Sequence, residues 1–417
     1  MAILAAAGEL DADAVEGLAV VGALDWGPAV EPIAGTLAVA ELCRKHDWPL
    51  VAPAANRREA AAPGGVRYLP AHELGQVVDA LRSGLAPEAA GPIEPAELER
   101  RRDLAQITGH ETAKRALEIA AAGGHPLLLA GPPAAPTTGL ALRLTGILPE
   151  MTRDERLTAT RIHSIAGVLP PWAGVLAARP LSAPHFSAST AALLGRMEGT
   201  AEGLSTERAR PGAATLAHCG VLCLDDIDDF CANDVEQLAR TAEMKRTDDR
   251  HGAMPADFLL VATLTVPSHP QSRNGGATGL DAELHARLDR LPVSRTFQIA
   301  ARVEGTTLWA AHNRVAGETS AAVAERVRRA RDAQAERYDP RGALNGNVPP
   351  RVLVERAELT RSAEAVAART GDRFGREQQT RVIRLARTIA DLAGRAEVSP
   401  AAVQEATVQC ALLSNAN

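Results

Sequence analysis

The chain has 417 residues, 46% hydrophobic and 23% charged, with a formal net charge of −6. These values describe a folded chain of roughly two to three domains and exclude a disordered or strongly basic nucleic-acid-binding protein. Aromatic residues are only 3%, which argues against stacking platforms for bases and leaves any nucleic-acid contact to a local basic patch.

Residues 1 to 83 alternate short apolar runs with helical ones. The spacing predicts a helix from Ile3, a strand at Leu18 to Leu24, a helix at Thr36 to His46, a strand at Leu50 to Pro53 and a helix at His72 to Ser83. Ala, Pro, Gly and Glu then dominate from Gly84 to Pro95 and mark a linker. The run Ile107 to His125 reads as a helix ended by glycines. No charge occurs from Ile119 to Leu142, but Gly123, Gly124, Pro126, Pro132, Pro133 and Pro136 break the run, so no membrane span and a cytoplasmic location are expected.

The apolar strand Leu127 to Ala130 leads into Gly131-Pro-Pro-Ala-Ala-Pro-Thr-Thr138 and then into a helical pattern, the layout of a phosphate-binding loop. In a loop of the form G-x-x-x-x-G-K-[ST], backbone N–H groups point at the phosphates and a lysine neutralises their charge. Here Gly131 opens the loop and Thr138 offers a hydroxyl for Mg²⁺, but Pro136 stands at the second glycine and Thr137 at the lysine. Proline has no N–H and threonine no charge.

Downstream, the buried-type strand Val221 to Leu224 runs into Asp225-Asp226, as a Walker B segment requires: one acid for Mg²⁺ and one to orient the attacking water. Another buried strand, Phe258 to Leu264, precedes a Pro-, Ser-, Asn- and Gly-rich loop from Ser268 to Gly279. Strands alternating with helices imply a parallel sheet whose ligand site lies at the carboxyl ends of the strands. From Arg302 the pattern is helical, with helices expected at Ala321 to Tyr338, Pro350 to Ala368, Thr380 to Gly394 and Ser399 to Asn415. Arg381, Arg384 and Arg387 fall three apart on the third of these, as a solvated basic face or as a phosphate or partner contact. Arg326, Arg328, Arg329 and Arg331 form a second charged face, open to the same two readings. Five cysteines without C-x-x-C spacing read as buried reduced thiols, and no His/Cys cluster has metal-ligand spacing.

Four segments carry a resemblance: Ala113 to His125, Arg161-Ile-His-Ser-Ile-Ala-Gly167, Ala183-Pro-His-Phe-Ser-Ala-Ser-Thr190 and Arg387-Thr-Ile-Ala-Asp-Leu392. Together they closely resemble the ComM/YifB branch of magnesium-chelatase-like AAA+ ATPases, over nearly the whole chain. The resemblance implies an α/β P-loop NTPase fold with a parallel sheet. It also implies a partial Lon-protease-like α/β domain (residues 1–83), a linker (84–103), a AAA+ core (104–300) and an all-helical C-terminal domain (301–417). Only the latter half of the Lon-like domain is matched, by Val20 to Leu24 and Glu31 to Gly35.

Carried onto this chain, the family's loop G-P-P-G-x-G-K-[ST] matches Gly131, Pro132, Pro133 and Thr138, with Thr137 at the lysine; Ala134 and Pro136 depart from it. ATP and Mg²⁺ are the implied cofactors, the metal resting on Thr138 and Asp225. Asp226 replaces the family's glutamate, Thr265 stands at the sensor-1 asparagine, Arg287 matches an arginine finger acting in trans, and Arg384 resembles the sensor-2 arginine. Phe186 stands at the second histidine of a P-H-H segment. Partners implied are DNA and a homo- or hetero-hexamer with an intact family member. The altered positions favour a hydrolysis-deficient subunit acting as scaffold or regulator in DNA processing. The alternatives are an active ATP-driven DNA helicase for branch migration and a decaying paralogue.

Overall fold

A computed structural model describes residues 1–84, 88–89, 91, 102–170, 173–198, 208–248, 250, 252–266, 278–290, 296–305, 317–338 and 342–413. Most of the expected linker, and the loop from Ser268 to residue 277, therefore lie outside the described residues. The chain divides into two compact units: residues 1–100, 151–179 and 198–211 form one, and residues 101–150, 180–197 and 212–417 the other.

The first unit is built on a four-stranded sheet in the order Ala19–Val20, Leu50–Pro53, Arg67–Ala71, Glu88–Ala89. The first three strands run parallel and the last antiparallel. The single strand expected from Leu18 to Leu24 is instead two, because Ala23–Leu24 turns away to pair with Val30–Glu31. Gly22 allows the turn: a Cβ there would lie 2.8 Å from Val30 Cγ1. The helix Thr36–His46 forms as expected. A helix at Arg153–Ile165 belongs to the same unit and is signalled by its cap, since Thr152 and Glu155 form a capping box. Glu59, buried, accepts from Leu37 N at 2.8 Å and from the Ser164 hydroxyl, while Ser164 Oγ accepts from Gly35 N at 2.9 Å. Those bonds pin the Arg153–Ile165 helix to the start of the Thr36–His46 helix through groups that would be costly to bury unpaired.

The second unit carries a five-stranded sheet in the order Ile299–Arg302, Leu127–Gly131, Leu259–Thr265, Val221–Leu224, Leu181–Ser182. Every neighbouring pair is parallel. In chain order this is 5-1-4-3-2, which sets the Leu127–Gly131 and Val221–Leu224 strands on either side of Leu259–Thr265. These central strands are apolar on both faces, as a sheet covered by helices on both sides requires. The helix Glu111–Gly123 packs on one face; Gly124 ends it with φ 67°.

The helical region consists of Ser320–Tyr338, Pro350–Arg356, Arg361–Leu392 and Pro400–Cys410. The helix expected from Pro350 to Ala368 is broken, because Thr360 caps a new helix by accepting from Ala363 N. The helix expected at Thr380 to Gly394 is the second half of Arg361–Leu392, entered through a kink at Gly375 with φ 86° and ψ 170°. Cys43, Cys223 and Cys410 are buried, burial pushing the last two thiols up to about 12, but Cys219 is half-buried and Cys231 exposed, which corrects the expectation for those two.

Candidate functional site at the carboxyl edge of the sheet

Because all five strands run the same way, their carboxyl ends share one edge, and the loop after Leu127–Gly131 lies beside the acids after Val221–Leu224. Gly131 is required by close approach: a Cβ there would run into the Val303 carbonyl oxygen and sit 2.8 Å from Ala135 Cβ. Val266 N donates to Gly131 O at 2.8 Å, clamping the loop to the neighbouring strand. Inside the loop, Ala135 N donates to Pro132 O at 2.8 Å, so that N–H closes a turn. Pro132, Pro133 and Pro136 have no N–H, and the helix Thr137–Ala141 starts only after Pro136. Thr137 is buried and uncharged at the lysine position.

Across the edge, Asp225 Oδ1 accepts from the Thr138 hydroxyl at 2.6 Å and from the Thr263 hydroxyl at 2.7 Å. Asp226 takes a left-handed backbone (φ 51°), donates its N–H to Thr263 Oγ1 at 2.9 Å and accepts from Thr265 N at 2.9 Å. One fully buried hydroxyl, Thr263, therefore sets both acids. Its role is not visible in the motif, although Thr263 and Thr265 fall two apart on one strand, hence on one face. Thr265 contributes its backbone N–H and C=O to these contacts.

Arg287 reaches the same edge. Its Nη1 donates to Asp228 Oδ2 at 2.6 Å and to Thr265 O at 3.0 Å, and its Nε to Glu283 Oε1 at 3.2 Å. Burial pushes the Asp228 carboxyl up, Arg287 opposes that shift, and Asp229 and Asp226 add to it.

Arg384 is not brought here. It donates to Asn345 O at 2.7 Å and lies beside His125, which precedes the Leu127–Gly131 strand, so the structure places it at the amino ends of the strands. His125 is fully buried between Gln298 Oε1 and Thr388 Oγ1, each at 2.7 Å. Desolvation by burial lowers its pKa to about 4; the bond to Gln298 opposes that shift and Arg384 adds to it.

The two expected basic faces also change meaning. Arg387 is fully buried, donating to the carbonyls of Ala357 (3.0 Å), Ala396 (2.5 Å) and Arg395 (2.6 Å) and pairing with Asp391 at 3.0 Å. Arg381 is buried as well, bonded to Gln378 at 2.7 Å, and Arg384 is half-buried, so Arg381, Arg384 and Arg387 do not form one solvated basic face. On Ser320–Tyr338, Arg326 pairs with Glu118 and Glu318, Arg328 with Glu325 and Asp332, and Arg331 donates to Ala121 O. Phe186 is exposed, its ring 4.1 Å from that of His185.

Thr138 and Asp225 offer adjacent oxygens suited to a hydrated Mg²⁺. The loop departs from a triphosphate cradle in having no cationic side chain and no donor from its three prolines or from Ala135 N, which is bonded to Pro132 O. Among the described residues no group of three or more His, Cys, Asp or Glu could hold a metal ion, and no helix is long and apolar enough to cross a membrane.

Residues 103–279 match the family described as magnesium chelatase, subunit ChlI, and residues 317–409 match its C-terminal counterpart. An uncharacterized protein of Mycobacterium tuberculosis (strain H37Rv) is 34% identical over 409 residues, covering 94% of this chain and 78% of its own. The uncharacterized protein YifB of Escherichia coli (strain K12) is 32% identical over 351 residues, 81% of this chain and 66% of its own. Competence protein ComM of Haemophilus influenzae is 33% identical over 310 residues, 71% of this chain and 57% of its own. With the 5-1-4-3-2 parallel sheet, the loop at its carboxyl edge and the all-helical C-terminal region, these matches show that the chain belongs to the magnesium-chelatase ChlI family of AAA+ proteins, with relatives of the YifB and ComM type.

Proposed function

We propose that this chain is a AAA+ subunit that does not hydrolyse ATP in its own site and serves an assembly as scaffold or regulator in DNA processing. The observation that carries the reading is the loop itself: threonine replaces lysine at 137, proline replaces glycine at 136, and the Ala135 N–H is spent on Pro132 O. Removing one preorganised charge-stabilising donor costs about two to three orders of magnitude in rate. Here the lysine, a loop amide, the sensor amide and the length of the second acid are all altered. The reading takes Arg287 as a donor to a neighbouring site, in a homo- or hetero-hexamer with an intact family member. It keeps residues 1–83, 104–300 and 301–417 as Lon-like, AAA+ and helical parts, in a cytoplasmic protein.

The test is phosphate release by purified protein, with and without single-stranded DNA, beside titration of a fluorescent ATP analogue. Release at background, unchanged in Asp225→Ala, is expected. The double variant Pro136→Gly/Thr137→Lys should gain nucleotide affinity. Turnover that Asp225→Ala abolishes sinks the reading and supports the second one, an ATP-driven motor acting on DNA. One observation favours that second reading: the Thr138 and Asp225 oxygens remain within 2.6 Å, where a Mg²⁺ site would need them.

A further inference from the structure

We infer that Asp228 is a latch residue that holds Arg287 on its own subunit. Arg287 is the only cation in the described contacts of the strand-end acids, and it faces inward. Its Nη1 is shared between Asp228 Oδ2 at 2.6 Å and the Thr265 carbonyl at 3.0 Å, and its Nε is turned to Glu283 at 3.2 Å. Asp228 sits in the short helix Ile227–Asp229, entered through Asp226, whose left-handed backbone is fixed by Thr263 Oγ1 and Thr265 N. The carboxylate is thus presented by the same strand-end framework that sets Asp225 and Asp226, and the guanidinium closes against it. Both partners are about three-quarters covered (side chains 25% and 29% exposed), so the pair is stronger than a surface ion pair yet can open without unfolding the sheet.

The consequence rests on the reading of Arg287 as a donor to a neighbour: a guanidinium committed to Asp228 cannot serve another subunit's phosphate. Asp228 thereby restrains the subunit until a competing anion takes its place. Glu283, on the same helix as Arg287, travels with it and does not oppose release.

Two measurements separate the latch from the donor role. The first is modification of Arg287 by phenylglyoxal, followed by peptide mass spectrometry on the full chain. The wild type should be protected, Asp228→Asn should react about tenfold faster, and Asp228→Glu should restore protection, since a charge-assisted bond of this kind is worth about that factor. Equal reactivity of wild type and Asp228→Asn in low salt overturns the latch. The second is phosphate release by a copy with four altered positions restored and its own finger removed, Pro136→Gly/Thr137→Lys/Asp226→Glu/Thr265→Asn/Arg287→Ala, mixed with wild type or Asp228→Asn as donor. Greater release with Asp228→Asn than with wild type, absent with Asp228→Asn/Arg287→Ala, supports the latch. Less release with Asp228→Asn means that the carboxylate aims Arg287 productively, and overturns it. If phenylglyoxal reports the latch while neither donor raises release, the donor reading fails and the latch stands.

Discussion

Thr263 shows how one residue sets a site that motifs describe only in part. Its buried hydroxyl donates to Asp225 and accepts from the Asp226 N–H, so Thr263→Val leaves that N–H orphaned at nearly unchanged side-chain volume. A loss of about 1–3 kcal/mol in urea unfolding is expected; an unchanged midpoint would remove Thr263 from its role. His125 yields a pH prediction. Its folded pKa of about 4 lies below the ordinary 6.5, so between these values the unfolded chain binds the extra proton and the folded chain does not. The contribution is complete above pH 6.5 and lost as pH falls toward 4, on the order of 3 kcal/mol in all. Urea titrations at pH 7 and pH 5 of the wild type and His125→Gln check it: the variant should lose part of the difference.

At the scale of elements, the helix Arg361–Leu392 is the case where periodicity and structure part. Its three arginines mimic a polar face, but Arg387 is fully buried and satisfies three carbonyls that no other side chain in its described contacts reaches. Arg387→Ala should cost about 3–5 kcal/mol by stranding those three buried acceptors, measured by thermal or urea melting, while Asp391 keeps Arg337 and Asn345 as partners. A surface arginine would cost a few tenths, and that result would contradict the clamp. Gly375 is the second lever. Its φ of 86° with ψ of 170° is a backbone state held almost solely by glycine, so Gly375→Ala should destabilise by about 1–3 kcal/mol although open space surrounds its Cα. Sequence reading placed the strands Leu127–Gly131, Val221–Leu224 and Leu259–Thr265 well, because a buried parallel strand is an uninterrupted apolar run. It missed the helix break at Arg356, where Thr360 acts as a cap whose hydrogen bond is local and leaves no apolar signature.

For the whole molecule, surface charge bears on partners. Net charge is −6, and on the Ser320–Tyr338 helix Arg328 and Arg329 both pair with Glu325. A double variant Arg328→Ala/Arg329→Ala should therefore leave the anisotropy of a labelled single-stranded oligonucleotide titrated with the protein unchanged. A clear loss of the anisotropy rise that the wild type gives would return that face to nucleic acid.

By itself the sequence determined the parallel α/β class, the loop and acid segments that meet at one edge, and the departures from the phosphate-loop pattern at Pro136 and Thr137, because each is local: an apolar run, a missing N–H, a missing charge. Only the tertiary structure decided that Thr263 governs both acids, that Arg287 is bound by Asp228, and that Arg384 lies at the amino ends of the strands beside His125. These depend on which strand lies beside which and on which helix turns back. Such pairings join residues dozens to hundreds of positions apart, and neither spacing nor composition encodes them.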